Sequence, residues 1–252
     1  MRRETQNILL VLLGGALLKL ALTGTYLRYV KESLQPWLVA TGAVMVGLAA
    51  VSIVRDIRGA RQPDEEHETH EGHETHEGHE THEGHDHGSS RSPWMLLLPV
   101  LAVFLISPPA LGADTVNRSS VNAAQEAAAS DGFAPLPPDE VVPLTIGEFV
   151  TRTAWDDSGS LDDRTVRLTG FVVRQDPDVF IARLMIGCCA ADARPVKARM
   201  AGLDLRTLPD DQWIEAVGRV VPGSANQESR FVPTFTVTRV VPIAAPEDPY
   251  EG

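Results

Sequence analysis

Two groups of side chains have the types and spacing to do chemistry, and in both a metal is the leading candidate. The first holds all eight histidines: His67, His70, His73, His76, His79, His82 and His85 at strict three-residue intervals, with His87 closing the tract. The repeating unit is His-Glu-Thr-His-Glu-Gly. Imidazoles with an ordinary pKa of ~6.5 are mostly neutral at cytoplasmic pH and can donate a nitrogen to a borderline metal. In an extended three-per-turn conformation the rings line one face, and a flexible chain can gather several of them around one ion. Zinc suits this ligand set, and nickel, cobalt or copper suit it almost as well. The interleaved glutamates concentrate cations and offer oxygen ligands. Ordering such a segment costs entropy, so the expectation is a modest-affinity collecting arm and not a structural site. The competing expectation is a solvated spacer: residues 62–90 carry ten acids and no base and cannot bury a core.

The second group is Cys188-Cys189-Ala190-Ala191-Asp192. Neighbouring Cα atoms lie ~3.8 Å apart, below the ~4.4 Å an ordinary disulfide wants, so a bond between these cysteines is strained and easily reduced. No other cysteine exists to pair with either. If the Ala-rich segment turns helically, Asp192 sits three residues from Cys189 and four from Cys188, which brings two sulfurs and a carboxylate together. That makes three ligands for a soft or borderline metal, with a fourth from water or a partner. A redox-active disulfide, or a buried thiol acting as a small hydrophobe, are the alternatives. With no histidine outside the repeat, Ser-His-Asp and Cys-His catalytic sets are absent from the rest of the chain, and no enzyme is expected.

These groups must be positioned by a chain whose apolar residues fall in three N-terminal blocks. Ile8 to Leu27 and Pro36 to Val54 each offer about 20 mostly apolar residues, enough to cross a hydrocarbon core. A third stretch, residues 93–113, is interrupted by Pro99, Pro108 and Pro109 and reads either as a span or as a signal-like segment ending in Leu111-Gly112-Ala113. Arg2, Arg3, Arg55, Arg58, Arg61 and Arg91 fall on one side of these spans, against Arg28 and Lys31 in the first loop. The majority side is expected to be cytoplasmic. That puts the N-terminus and the histidine tract inside the plasma membrane and residues 114–252 outside it. Lys19 falls within the first span and must snorkel, meet water or find a partner chain. Ala43 and Gly47, four apart, would allow close helix approach.

The domain plan is then two transmembrane helices over 1–61, a disordered His/Glu-rich linker over 62–92, the third segment over 93–113, an Ala/Pro-rich tether over 114–143 and a folded domain over 144–252. Thr145 and Glu148 form a capping box for a short helix through Val150. Five strands are expected, at Thr165–Arg174, Val179–Ile186, Pro195–Met200, Trp213–Val221 and Phe231–Val241, with glycine bends at Gly170 and Gly218. That pattern fits a small all-β domain, an OB-like five-stranded barrel, with a generic barrel or sandwich as the competing architecture. From residue 114 onward there are 21 acids against 13 bases, within a chain of net charge -12. A nucleic-acid partner is therefore not expected.

The layout resembles a family of bacterial membrane proteins described as permease subunits: two N-terminal spans, a His-rich acidic linker, a third span and a C-terminal domain with a Cys-Cys-Ala-Ala-Asp-Ala-like sequence. Cys188 to Ala193 carries that motif here, and the Trp213-Ile214-Glu215-Ala216-Val217-Gly218 strand and the Pro249-Tyr250 pair also look like the family. The resemblance implies a separate multi-span permease as partner, beside the lipid bilayer, and supplies no substrate. The leading expectation is an accessory subunit of a transition-metal permease, zinc first. An extracytoplasmic thiol-redox or assembly factor, or a metal-independent scaffold for a partner permease, are the alternatives.

Overall fold

The structure is a computed structural model that describes residues 3–59, 98, 101, 102, 105, 109–119, 123 and 133–251. The histidine tract lies outside the described residues, as does most of the third apolar segment. The chain divides into two compact units, one of Met1–Leu22 with Pro36–Pro108 and the other of Thr23–Gln35 with Pro109–Gly252.

The first unit contains helices α1 (Arg3–Leu22) and α2 (Gln35–Gly59). Pro36 sits in the first turn of α2, where a missing N–H costs nothing. The first helix stops at Leu22 instead of running on to Leu27, because Gly24 turns the chain into the left-handed region at φ 75°. The stretch Glu32–Arg58, 27 residues, is long and apolar enough to cross a membrane, while the apolar part of α1, Gln6–Leu22, is shorter. The two helices approach at Gly14 and Gly42, not at the expected Ala43 and Gly47. A Cβ added at Gly14 would stand 2.9 Å from the Gly42 carbonyl oxygen, whereas one at Gly47 meets nothing within 4 Å. Absence of a side chain at Gly14 and Gly42 is what lets the backbones come this close.

The second unit is built on a seven-stranded mixed sheet: β1 (Val141–Leu144), β2 (Thr165–Gln175), β3 (Asp178–Met185), β4 (Arg194–Ala201), β5 (Trp213–Val220), β6 (Thr234–Pro242) and β7 (Tyr250–Glu251). Five of these lie where the alternating pattern puts them. Strand β2 pairs with β3 and β5, β3 with β4, and β5 with β6, all antiparallel, and the parallel β4–β6 pair completes a closed cycle of pairings. At Phe171 the β2 strand passes from one partner to the other. The bend there requires Gly170, since a Cβ would stand 2.6 Å from both the Ala182 carbonyl oxygen and the Ile146 side chain. The expectation of an all-β domain is corrected: parallel strands β1 and β7 flank the cycle, and two helices pack on it, α3 (Ala113–Arg118) and α4 (Ile146–Trp155).

Helix α4 buries Ile146, Phe149 and Val150 completely, and Phe149 meets Phe235 of β6 edge-on at 5.3 Å. Burying side chains of this size is the largest favourable contribution to such a core. Of the expected capping box the N-cap half forms, with Thr145 Oγ1 accepting from the Glu148 amide at 3.0 Å, while the Glu148 carboxylate accepts from Arg152 Nε at 2.9 Å. The next two first-turn amides find a partner far along the chain: Ile146 N and Gly147 N donate to the Glu251 carboxylate at 2.9 and 2.8 Å. Strand β7 thus satisfies the orphan donors of α4 and sets a negative charge at its positive end. Residues 109–118, expected in the third apolar segment and the tether, belong to this unit too. Ala113 N donates to Asp211 Oδ1 at 2.6 Å, and Val116 is fully buried.

Arg183 Nε lies 3.6 Å from Glu251, its Nη2 donates to the Tyr250 carbonyl at 2.8 Å, and its guanidinium carbon lies 4.9 Å from the Trp213 ring centroid. Burial pushes the Glu251 carboxyl above its ordinary range, opposed by the two amide donors and by Arg183. The Glu251→Ala variant leaves those donors and a buried guanidinium without their anion. It is expected to lose about 3 kcal/mol in denaturant unfolding of the full chain, and Glu251→Gln distinctly less, because an amide oxygen still accepts. Equal losses would show that packing, not hydrogen bonding, is what Glu251 supplies.

Candidate metal centre

Strand β3 ends at Met185, and the chain turns through Gly187, Cys188 and Cys189 into a single 3-10 turn, Ala190–Asp192, before β4 begins. The short turn folds because the Asp192 carboxylate reaches back to the start of its own loop. Its oxygens accept from Gly187 N at 3.0 Å and from Cys188 N at 2.8 Å. This local side-chain-to-backbone closure is typical of aspartate in turns. Cys188 and Asp192 are exposed and Cys189 is half-exposed, so neither thiol is the buried hydrophobe of the alternative reading.

The helical turn anticipated from the Ala-Ala-Asp spacing does bring the three side chains together. One ligand atom from each of Cys188, Cys189 and Asp192 lies within 4.8 Å of the other two, and the two sulfurs stand 3.6 Å apart as free thiols. Tetrahedral zinc with Zn–S bonds of ~2.3 Å separates two sulfurs by about 3.8 Å, so the sulfur pair is already spaced for one ion. A carboxylate oxygen would move inward by about 1 Å, and each oxygen keeps a lone pair beyond the amide bond it already accepts. The donor set therefore fits a thiophilic divalent ion with its remaining position open.

The amide N–H of Cys188, followed by its thiol, holds the Asp192 carboxyl below the usual carboxylate range. Conversely, the Asp192 carboxylate, with Cys189 beside it, pushes the Cys188 thiol up to about 11. An ion entering the cluster must displace that thiol proton.

Residues 28–31 hold this turn from outside, a feature absent from the sequence expectations. Val30 forms an antiparallel bridge with Cys189, Lys31 N donates to the Cys188 carbonyl at 3.1 Å, and Ala190 N donates to the Tyr29 carbonyl at 2.7 Å. Tyr250 Oη donates to the Arg28 carbonyl at 2.8 Å and accepts from Leu111 N at 3.2 Å. The only sequence signal for this was the Thr23-Gly24 break that ends α1 early. All eight histidines lie outside the described residues.

Residues 5–122 match the DUF1980 N-terminal domain and residues 152–251 match the DUF1980 C-terminal domain. Between them the two domains account for most of the chain, with the cysteine cluster inside the C-terminal one, and the protein belongs to the DUF1980 family. Comparison with curated proteins and with solved structures yields no match.

The raised Cys188 thiol makes a directional prediction. Alkylation of Cys188 by iodoacetamide, followed by mass spectrometry, is expected to be slow at pH 8 and to accelerate as the pH rises toward 11. Asp192→Asn removes the facing negative charge and is expected to speed the reaction several-fold at pH 8. A rate indifferent to Asp192 would contradict the hydrogen-bonded cluster.

Proposed function

We propose that this chain is a membrane-anchored accessory subunit that handles a transition metal, zinc first, beside a separate multi-span permease, with no catalytic reaction of its own. The observation that carries this is the convergence of Cys188, Cys189 and Asp192 at ligand distance on an exposed turn. The eight-histidine tract supplies a second set of donors suited to the same ions. An exposed cluster with an open coordination position suits exchange of an ion more than its permanent retention.

Glu32–Arg58 supports anchoring, and Trp37, Val44, Leu48 and Val51 keep large apolar side chains exposed along it. Hydrogen bonds join residues 28–31 to the sheet unit, so these two parts share one side of any membrane that α2 crosses. The histidine tract then falls on the other side, and the chain must return between residues 60 and 108. The arginine distribution makes the tract's side cytoplasmic and the cysteine side extracytoplasmic. We read the closed cycle β2–β3–β4–β6–β5 as an OB-type Greek key, on the strength of its adjacency and of the parallel β4–β6 closure. The two adjacent free thiols also favour a thiol-exchange factor. Against that, a thiol held protonated to about 11 is a weak nucleophile at neutral pH, so the metal reading ranks first.

Equilibrium dialysis against zinc tests the reading on the full chain in detergent. Deleting residues 67–87 is expected to remove most bound zinc but leave one ion per chain, and adding Cys188→Ser with Cys189→Ser is expected to remove that last ion. Loss of every ion with the tract alone would overturn the cysteine site. Reporter fusions after residue 75 and after residue 251 are expected in opposite compartments, and a shared compartment would overturn the two-sided arrangement.

A further inference from the structure

The two residues that supply the thiols belong to the same short stretch of backbone that holds the link between the N-terminal helices. Lys31 N donates to the Cys188 carbonyl at 3.1 Å, and Ala190 N, on the far side of Cys189, donates to the Tyr29 carbonyl at 2.7 Å. Val30 bridges to Cys189 between them. Cys188 is gripped from both sides, because its own amide donates to Asp192 Oδ2 at 2.8 Å. Backbone that carries ligands and backbone that carries the link are therefore one segment.

Closing a shell around an ion acts on that segment. The sulfurs already stand 3.6 Å apart, whereas the Asp192 carboxylate, bonded to Gly187 N and Cys188 N, has to move toward the ion. Once bound, the ion ties the side chains of Cys188, Cys189 and Asp192 to a common point, and the turn loses conformational freedom. The link then pairs with a turn that is already ordered. Conversely, a paired link leaves less for the ion to order. Two events that order the same segment favour each other, equally in both directions. With two backbone hydrogen bonds the pairing is weak enough to open and close locally, so ion occupancy can shift it. Lys31 is followed directly by Glu32, the first residue of the stretch Glu32–Arg58 that is long and apolar enough to cross a membrane.

We propose that ion binding at Cys188, Cys189 and Asp192 is coupled to the pairing of residues 29–31 with the turn, which makes the link a sensor of ion occupancy at the head of Glu32–Arg58. This coupling rests on the metal reading and extends it, from a site that holds an ion to one whose loading is expressed in a segment that supplies none of the three ligands.

Hydrogen exchange on the full chain in neutral detergent, resolved to single amides by mass spectrometry, tests the coupling with and without zinc. Alkylation of Cys188 and Cys189 in the same samples reports whether zinc occupies the turn. Zinc is expected to protect both thiols and to slow exchange at Lys31 N at least about fivefold. The double variant Cys188→Ser with Cys189→Ser keeps the histidine tract and is expected to show no slowing. Lys31→Pro reads the reverse direction. Lys31 has φ -60° and follows the bridged Val30, so proline fits the local backbone yet removes the N–H that reaches Cys188. It should raise the zinc concentration that half-protects the thiols at least about fivefold, while Lys31→Ala, which keeps the N–H, should leave it unchanged. The exchange measurement is made on the natural chain and stands whatever Lys31→Pro does to folding. Protected thiols with unchanged exchange at Lys31 N, or equal effects of Lys31→Pro and Lys31→Ala, would overturn the coupling and leave the metal centre intact. Thiols that zinc does not protect would overturn both.

Discussion

The extended pairing of residues 28–31 with the sheet unit is the constraint on which the cysteine turn depends. Two backbone hydrogen bonds, Lys31 N to the Cys188 carbonyl and Ala190 N to the Tyr29 carbonyl, flank the Val30–Cys189 bridge. Without that partner, the Gly187–Cys189 segment would be an exposed loop with only Asp192 to shape it. A site whose ligands sit on a loop is usually too loose to select an ion, and support from a second segment is what sharpens it. Here the support comes from the link between the two N-terminal helices, so the turn and that link cannot shift independently.

A second tie runs through β7. Tyr250 bonds the same link through Arg28 and the 109–118 segment through Leu111, while its neighbour Glu251 closes the first turn of α4 and meets buried Arg183. Two residues of strand thereby connect the link, α3, α4 and β3. The arrangement spends a buried ion pair, which gives little net stability by itself but penalises any alternative placement of the C-terminal strand.

Much of the sheet could be read from the chain because its determinants are local. Apolar alternation set five strands to within a few residues, the Thr145 N-cap set the start of α4, and the Asp192 spacing set the cluster of two thiols and a carboxylate. What escaped notice depends on distant partners. The β1 strand is four residues long with Pro143 inside it, tolerable because β1 lies at the sheet edge, and too short for a period to emerge. The two-residue β7 has no period at all. Residues 28–31 dock through backbone groups, which every sequence possesses, so no side-chain pattern marks them. Gly14 and Gly42 lie on different helices, and only their meeting distinguishes them from Gly47. Parallel pairing of β1, β7 and β4 with β6 likewise reflects topology more than composition, which is why an all-β reading missed the mixed sheet.

X-ray absorption at the zinc edge, on the chain lacking residues 67–87 and loaded with one equivalent of zinc, addresses the central claim most directly. Two sulfur scatterers at ~2.3 Å with oxygen completing the shell are predicted. A shell of nitrogen and oxygen alone would contradict the claim that Cys188 and Cys189 form a metal centre.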